Sequence, residues 1–248
     1  MNTNEYNDPK NSLVLFGLGS KLDFLIELYN SNRLPKVLMI SGKKGVGKFT
    51  LINHFLSYIY DKDNYDLKNR SINSQTQFYK QNFNNIFSNI LYLSGNNFKN
   101  VKIEDIRDLK STILKTTISK KERFIILDDI ELFNINSLNA LLKLIEEPPS
   151  NNYFVLINSR TKTLIETIYS RSLEIKIFLS NETRIKIIES LIKENNLEVF
   201  IDFNSSNLTP GNFLSFNKIF EENKINTDED FLKNLEILLN LYKKNKNI

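Results

Sequence analysis

Apolar positions recur along this chain in two alternating rhythms. Leu22, Leu25, Ile26 and Tyr29 fall at helical spacing within residues 21–29, and residues 36–41 (KVLMIS) form an apolar run ending at glycine, the pattern of a buried strand that feeds a loop. Leu51, Phe55 and Ile59 then predict a helix over 50–60. Residues 90–93 read as a strand, 103–114 as a helix through Ile103, Ile106, Leu109 and Ile113, and 123–127 as a second buried strand. Leu138, Leu141, Leu142 and Ile145 place a helix over 137–147, stopped by Pro148 and Pro149, which remove backbone donors and clash with a continuing turn. Residues 154–157 and 173–178 supply two more strands. Strands alternating with helices up to about residue 178 predict an α/β layer on a largely parallel sheet. Residues 61–85, rich in Asn, Asp and Lys, show little periodicity and predict a solvated loop or irregular helix.

Past Ser180 the strand rhythm stops. Ser180 is a good N-cap for a helix carrying Ile185, Ile187, Ile188, Leu191 and Ile192. Pro210 and Gly211 open another helix to about Glu222, and Thr227 or Asp228 caps a last one containing Phe231, Leu235, Leu238 and Leu239. The expected organisation is an α/β domain over 1–178, a small all-helical domain over 179–222 and a short helical segment over 223–248. There is no internal repeat.

Composition narrows the function classes only a little. The 248 residues carry 33 basic and 29 acidic side chains, net +4, too even a balance to argue for nucleic acid by itself. With no Cys there is no disulfide framework and no thiolate zinc site, which fits a reducing compartment. The polar N-terminus MNTNEYNDPK lacks the features of a signal peptide, and no window approaches the roughly 18 apolar residues of a spanning helix. A cytoplasmic protein with no membrane partner is expected. Glycine is scarce, yet three of seven, Gly42, Gly45 and Gly47, stand within six residues.

That cluster carries the first chemical signal. Gly42 to Lys48, GKKGVGK, fits the phosphate-loop pattern of Gly, four residues, Gly, Lys. Glycines let backbone N–H groups turn inward around phosphate oxygens, the following helix offers its positive end, and the Lys ammonium reaches the outer phosphates. A bound ATP is the expected ligand. The next residue should be a Ser or Thr whose hydroxyl holds Mg²⁺, but Phe49 stands there and Thr50 comes one place late, about 100° around the helix. The second signal is FIILDD, an apolar strand ending in Asp128 and Asp129, where a carboxylate would meet the Mg²⁺ of a nucleotide. Asp129 is one methylene shorter than the Glu that polarises water in active ATPases of this kind. Both departures count against hydrolysis by this chain. The lone histidine, His54, reads as packed or solvated, and Lys43 and Lys44 as added loop charge or solvated surface.

From Asp128 onward the string DDIELFNINSLNALLKLIEEPPSNNYFVLINS, followed by TIYSRSLEIKI, resembles the AAA+ clamp-loader family, with NALLKLIEEPP its most diagnostic part. Phe16-Gly17 and Arg33-Leu34-Pro35 look like that family's opening segment, and SNILYLS with KIEDIRDLKSTI looks like its delta-prime type in bacterial DNA polymerase III. The resemblance covers about residues 12–222 and implies an AAA+ fold with a helical lid and the beginning of a helical collar, which looks short here. It implies that Asn158 is the sensor-1 polar residue and that Arg171, in SRS, is an arginine finger serving a neighbouring subunit's nucleotide. Asn212, in TPGNFL, replaces an expected sensor-2 Arg, and the zinc-binding Cys cluster of gamma/tau subunits is missing. Implied partners are the gamma/tau and delta subunits and, through the assembly, a sliding clamp and primed DNA. Two alternatives stay open: an active gamma/tau-like ATPase using Thr50 and Asp129, and a P-loop nucleotide kinase, for which no basic closing lid is visible.

Overall fold

A computed structural model describes residues 8–95, 101–114 and 121–225, with Glu236, Ile237, Leu239, Asn240 and Lys243 near the C-terminus. The described chain divides into two compact units, one of residues Asp8–Leu179 and one beginning at Ser180.

The first unit is an α/β sandwich. In chain order it contains α1 (Gly19–Asn30), β1 (Val37–Ser41), α2 (Lys48–Tyr60), α3 (Gln77–Phe83), β2 (Ile90–Ser94), α4 (Ile103–Leu114), β3 (Arg123–Asp128), α5 (Ile135–Glu146), β4 (Asn152–Asn158), α6 (Glu166–Tyr169) and β5 (Leu173–Lys176). The five strands lie in the order β2-β3-β4-β1-β5 and every pairing is parallel. Parallel strands covered on both sides read as continuous apolar runs, and alternate residues serve opposite faces. Leu38, Ile40, Phe124, Ile126, Val155 and Ile157 join one core with Leu22 and Leu25 of α1 and Leu51 and Phe55 of α2. Met39, Ile125, Leu127, Phe154 and Leu156 join the other with Ile106 of α4, Leu138, Leu141 and Ile145 of α5, and Ile168 of α6. The α/β reading of the sequence is thus realised, with helices on both faces of the sheet.

Residues 61–85 are more ordered than their composition predicts. They hold α3, capped by the Thr76 side chain, and an antiparallel bridge between Asp66 and Ser71. Tyr65, Ile72 and Phe78 are buried in the first core. They stand singly among mostly polar neighbours, so no periodic run announces them.

The second unit contains α7 (Asn181–Asn195) and α8 (Pro210–Glu222). Ser180 caps α7 by accepting from Thr183 N, and Pro210 occupies the first turn of α8, where its missing donor costs nothing. Ile188, Phe213 and Leu214 form its core, with Leu191, Leu197, Phe203 and Leu208 packed around them. The last helix expected from sequence falls almost wholly outside the described residues. Among the described residues no helix is long and apolar enough to cross a membrane.

Candidate nucleotide-binding site

Strand register assembles the site. Ser41 at the end of β1 pairs with Asn158 at the end of β4, and Ser94 at the end of β2 pairs with Asp128 at the end of β3. The sheet therefore brings the glycine loop, Asp128 and Asn158 to one edge, the carboxyl ends of the strands, where open α/β sheets bind ligands.

The loop Gly42–Lys48 turns from β1 into α2. Gly42 lies so close to the chain after β5 that a Cβ there would stand 2.5 Å from the Ile177 carbonyl oxygen. Gly47 is left-handed (φ 89°) and forms the N-cap of α2; a side chain there would be strained. Lys48 is buried, and its ammonium donates to the carbonyl oxygens of Gly42 and Lys43, both at 2.9 Å. Desolvation lowers its pKa to about 8, against the attraction of Asp128 and Asp129.

Asp128 and Asp129 close the other side. Asp128 Oδ2 accepts from the Tyr92 hydroxyl at 2.9 Å, and Oδ1 from the Asp129 backbone N–H at 2.9 Å. Burial, then the neighbouring Asp129, pushes its carboxyl up to about 6. Asp129 sits in left-handed backbone (φ 47°); its Oδ1 accepts from Ser159 Oγ at 2.7 Å, and its Oδ2 lies 4.0 Å from Lys44 Nζ. Asn158 is fully buried, its amide donating to the Tyr169 hydroxyl at 2.9 Å while its Oδ1 accepts from Arg160 N at 2.8 Å. Below it, the buried Glu131 takes the N–H of Ser159 and both the N–H and hydroxyl of Thr161, fixing the turn after β4.

The hydroxyl that holds magnesium in such loops is missing from its usual place here. Phe49 occupies the first turn of α2 where the hydroxyl ligand would be, and its ring meets Tyr92 edge-on at 5.5 Å. Thr50 is half-buried on the same turn, one residue further around. Among the described residues no cluster of three or more His, Asp or Glu side chains is arranged to hold a metal ion. His54 is packed in the core, wholly buried between Tyr65 OH and the Ser12 carbonyl, each 3.0 Å away.

Arg171 lies elsewhere. It follows α6 and precedes β5, whose Leu173 pairs with Leu38 while Lys176 pairs with Ser41. Strand rise puts it at the opposite end of the sheet from the glycine loop, on the order of 10 Å or more away. Its partly exposed guanidinium donates to Glu146 Oε1 from Nε (3.0 Å) and Nη2 (2.6 Å), and to the Thr167 carbonyl at 3.0 Å. The structure thus gathers Gly42, Gly45, Gly47, Lys48, Asp128, Asp129 and Asn158 and leaves Arg171 apart. Asn212 lies in α8, in the other unit. Sequence reasoning missed Tyr92, Glu131 and Ser159; an aromatic in a strand gives no sign that its hydroxyl meets an acid on the next one.

Residues 19–180, more than half of the chain, match the family model described as "DNA polymerase III, delta subunit". A DNA polymerase III subunit delta' of Buchnera aphidicola (subsp. Baizongia pistaciae) is 31% identical over 106 residues, 42% of this chain and 30% of that protein. A DNA polymerase III subunit gamma of Buchnera aphidicola (subsp. Schizaphis graminum) is 31% identical over 100 residues, 39% of this chain and 28% of that one. These matches span less than a third of either relative's length. Among solved structures, the Thermotoga maritima RuvB Holliday junction branch migration motor superposes with a TM-score of 0.54 at 19% identity, covering 94% of this chain and 74% of that one, a likeness of fold alone.

Proposed function

Because the chain belongs to the DNA polymerase III delta subunit family, we propose that it is a clamp-loader subunit of the delta-prime type, which lends Arg171 to the nucleotide of an adjacent ATPase subunit. The observation that carries this reading is the placement of Arg171. Its partly exposed guanidinium, held by Glu146, stands at the far end of the sheet from this chain's own phosphate loop, which supports a role at another subunit's nucleotide. A guanidinium fork at a neighbour's γ-phosphate stabilises charge that develops during phosphoryl transfer and is worth about 10³-fold or more in rate.

This chain's own loop is read as a nucleotide holder without efficient hydrolysis. Lys48 and the loop N–H groups can bind phosphates, while Phe49 removes a cation ligand and Asp129 is engaged by Ser159. The gamma/tau-like alternative would need Thr50 and Asp129 to take over these tasks. A groove of about 380 Å³ between α4 and α5 has an apolar floor of Ile103, Ile106, Ala140 and Leu144, and its rim carries Arg107, Lys110 and Lys143, cations that could meet DNA phosphates in the assembly. The remaining partners would be gamma/tau and delta subunits and the sliding clamp. ATP turnover by the reconstituted loader tests the reading: Arg171→Ala should abolish clamp- and DNA-stimulated turnover, and unchanged turnover would refute the finger.

A further inference from the structure

We propose that Phe49 and Tyr92 replace the divalent cation site, so that the loop Gly42–Lys48 holds a nucleoside triphosphate through backbone N–H groups and lysine ammonium groups with no metal ion. The proposal rests on the reading of that loop as a nucleotide site and adds what the site excludes.

Magnesium requires near-octahedral oxygen ligands at about 2.0–2.1 Å and gives up its waters reluctantly. The carboxylates that would receive it already carry protein partners. Asp128 accepts from Tyr92 OH and from Asp129 N, and Asp129 accepts from Ser159 Oγ and faces Lys44 Nζ. All four carboxylate oxygens thus face a protein donor or cation. In a metal-using loop the residue after Lys supplies a hydroxyl that joins cation and carboxylate. Here that residue is Phe49, and the hydroxyl beside the carboxylate comes from Tyr92 on β2, held in place by the Phe49 ring at 86° to its own. One aromatic side chain, Tyr92, therefore meets Asp128 directly, and a second, Phe49, backs it.

The charge balance follows the same direction. A triphosphate needs cationic partners, and this loop supplies three, Lys43, Lys44 and Lys48, within seven residues. Lys44 is half-exposed beside Asp129. Lys48 donates to the loop's own carbonyls, bonds it can exchange for phosphate oxygens without moving its backbone. Lysine ammonium groups thus supply the positive charge that Mg²⁺ would otherwise bring.

Isothermal titration of the full chain with ATP, once in Mg²⁺ and once in EDTA at equal ionic strength, tests this. The expected result is binding in EDTA that Mg²⁺ leaves unchanged or weakens, because the ion competes with the loop for phosphate oxygens. The variant Tyr92→Phe keeps the ring packing and frees Asp128; combined with Phe49→Thr it should create at least a tenfold preference for Mg²⁺. ATP binding by the wild type that is tenfold tighter with Mg²⁺ overturns this proposal and leaves the nucleotide reading standing. No binding in either buffer overturns both. A double variant that keeps its circular dichroism spectrum but gains no Mg²⁺ preference overturns the role of the two rings. If that variant fails to fold, the wild-type comparison of the two buffers still decides.

Discussion

Glu146, the last residue of α5, holds Arg171 through one carboxylate oxygen that accepts from both Nε and Nη2 of the guanidinium. Both side chains remain substantially exposed, so the pair contributes about 1 kcal/mol or less to stability and serves to orient the fork. Arg171→Ala should therefore leave thermal unfolding within a few degrees of wild type while turnover by the assembled loader falls by about 10³-fold. Arg171→Lys should rescue little, since an ammonium cannot reproduce the planar fork. Glu146→Gln keeps the packing and loosens the orientation; it should lower kcat less than tenfold with KM for ATP unchanged. Steady-state kinetics of the three reconstituted variants measures these differences.

Lys48 gives a second test, in which pH is the variable. Desolvation lowers its pKa to about 8 in the unliganded loop. If only the ammonium form binds phosphate, affinity for ATP should weaken about tenfold between pH 7 and pH 9. Lys48→Met should bind weakly at all pH values and lose that dependence. Titration calorimetry across pH 6–9, in buffers of matched ionisation enthalpy, measures both.

Two desolvated groups should oppose one another in acid. Desolvation depresses His54 from 6.5 to about 4, so the stability it permits is present above 6.5 and lost as pH falls through 4. Burial and Asp129 raise Asp128 from 3.8 to about 6, so its contribution is present below 3.8 and lost as pH rises through 6. The two shifts act in opposite directions between pH 6.5 and 4, so each masks part of the other. Asp128→Asn should expose the His54 loss as a steeper fall in urea stability over that window. The ring protons of this single histidine should titrate near pH 4 by NMR.

The groove between α4 and α5 makes an electrostatic prediction. Lys110→Glu and Lys143→Glu reverse two of its three cations on opposite helices. The paired variant should lower DNA-stimulated turnover of the loader more at 50 mM than at 200 mM salt, with clamp-stimulated turnover little affected, because phosphate contacts weaken as salt rises. Equal loss at both salt concentrations would place the effect outside DNA contact.

Much of this fold was legible because buried parallel strands leave no choice of pattern: β1 and β3 each carry four consecutive apolar residues, and they run out at Gly42 and Asp128. The glycine loop was equally plain, since its backbone shape requires residues that are otherwise rare in the chain. What could not be read were bonds formed across strands. Tyr92 and Asp128 are 36 positions apart, and only the β2–β3 register brings them together. Ser159 and Glu131 are hidden for the same reason: an acid that satisfies backbone N–H groups looks, in sequence, like one that faces water.

Asn217 shows the same limit in the helical unit and carries the last prediction. It is wholly buried in α8; its Oδ1 accepts from Phe200 N at 2.9 Å and its amide donates to the Glu198 carbonyl at 2.7 Å. The one side chain thus satisfies two backbone groups of the segment between α7 and α8. Asn217→Ala would strand a donor and an acceptor together, at a cost of about 2–4 kcal/mol. Asn217→Asp keeps the acceptor for Phe200 but sets a carboxylate against the Glu198 carbonyl, so it should be destabilising at pH 7 and partly recover near pH 4 as the carboxyl takes up a proton and can donate. Thermal unfolding at the two pH values, with each variant compared to wild type at the same pH, separates this hydrogen-bond exchange from simple loss of packing, which would not recover in acid.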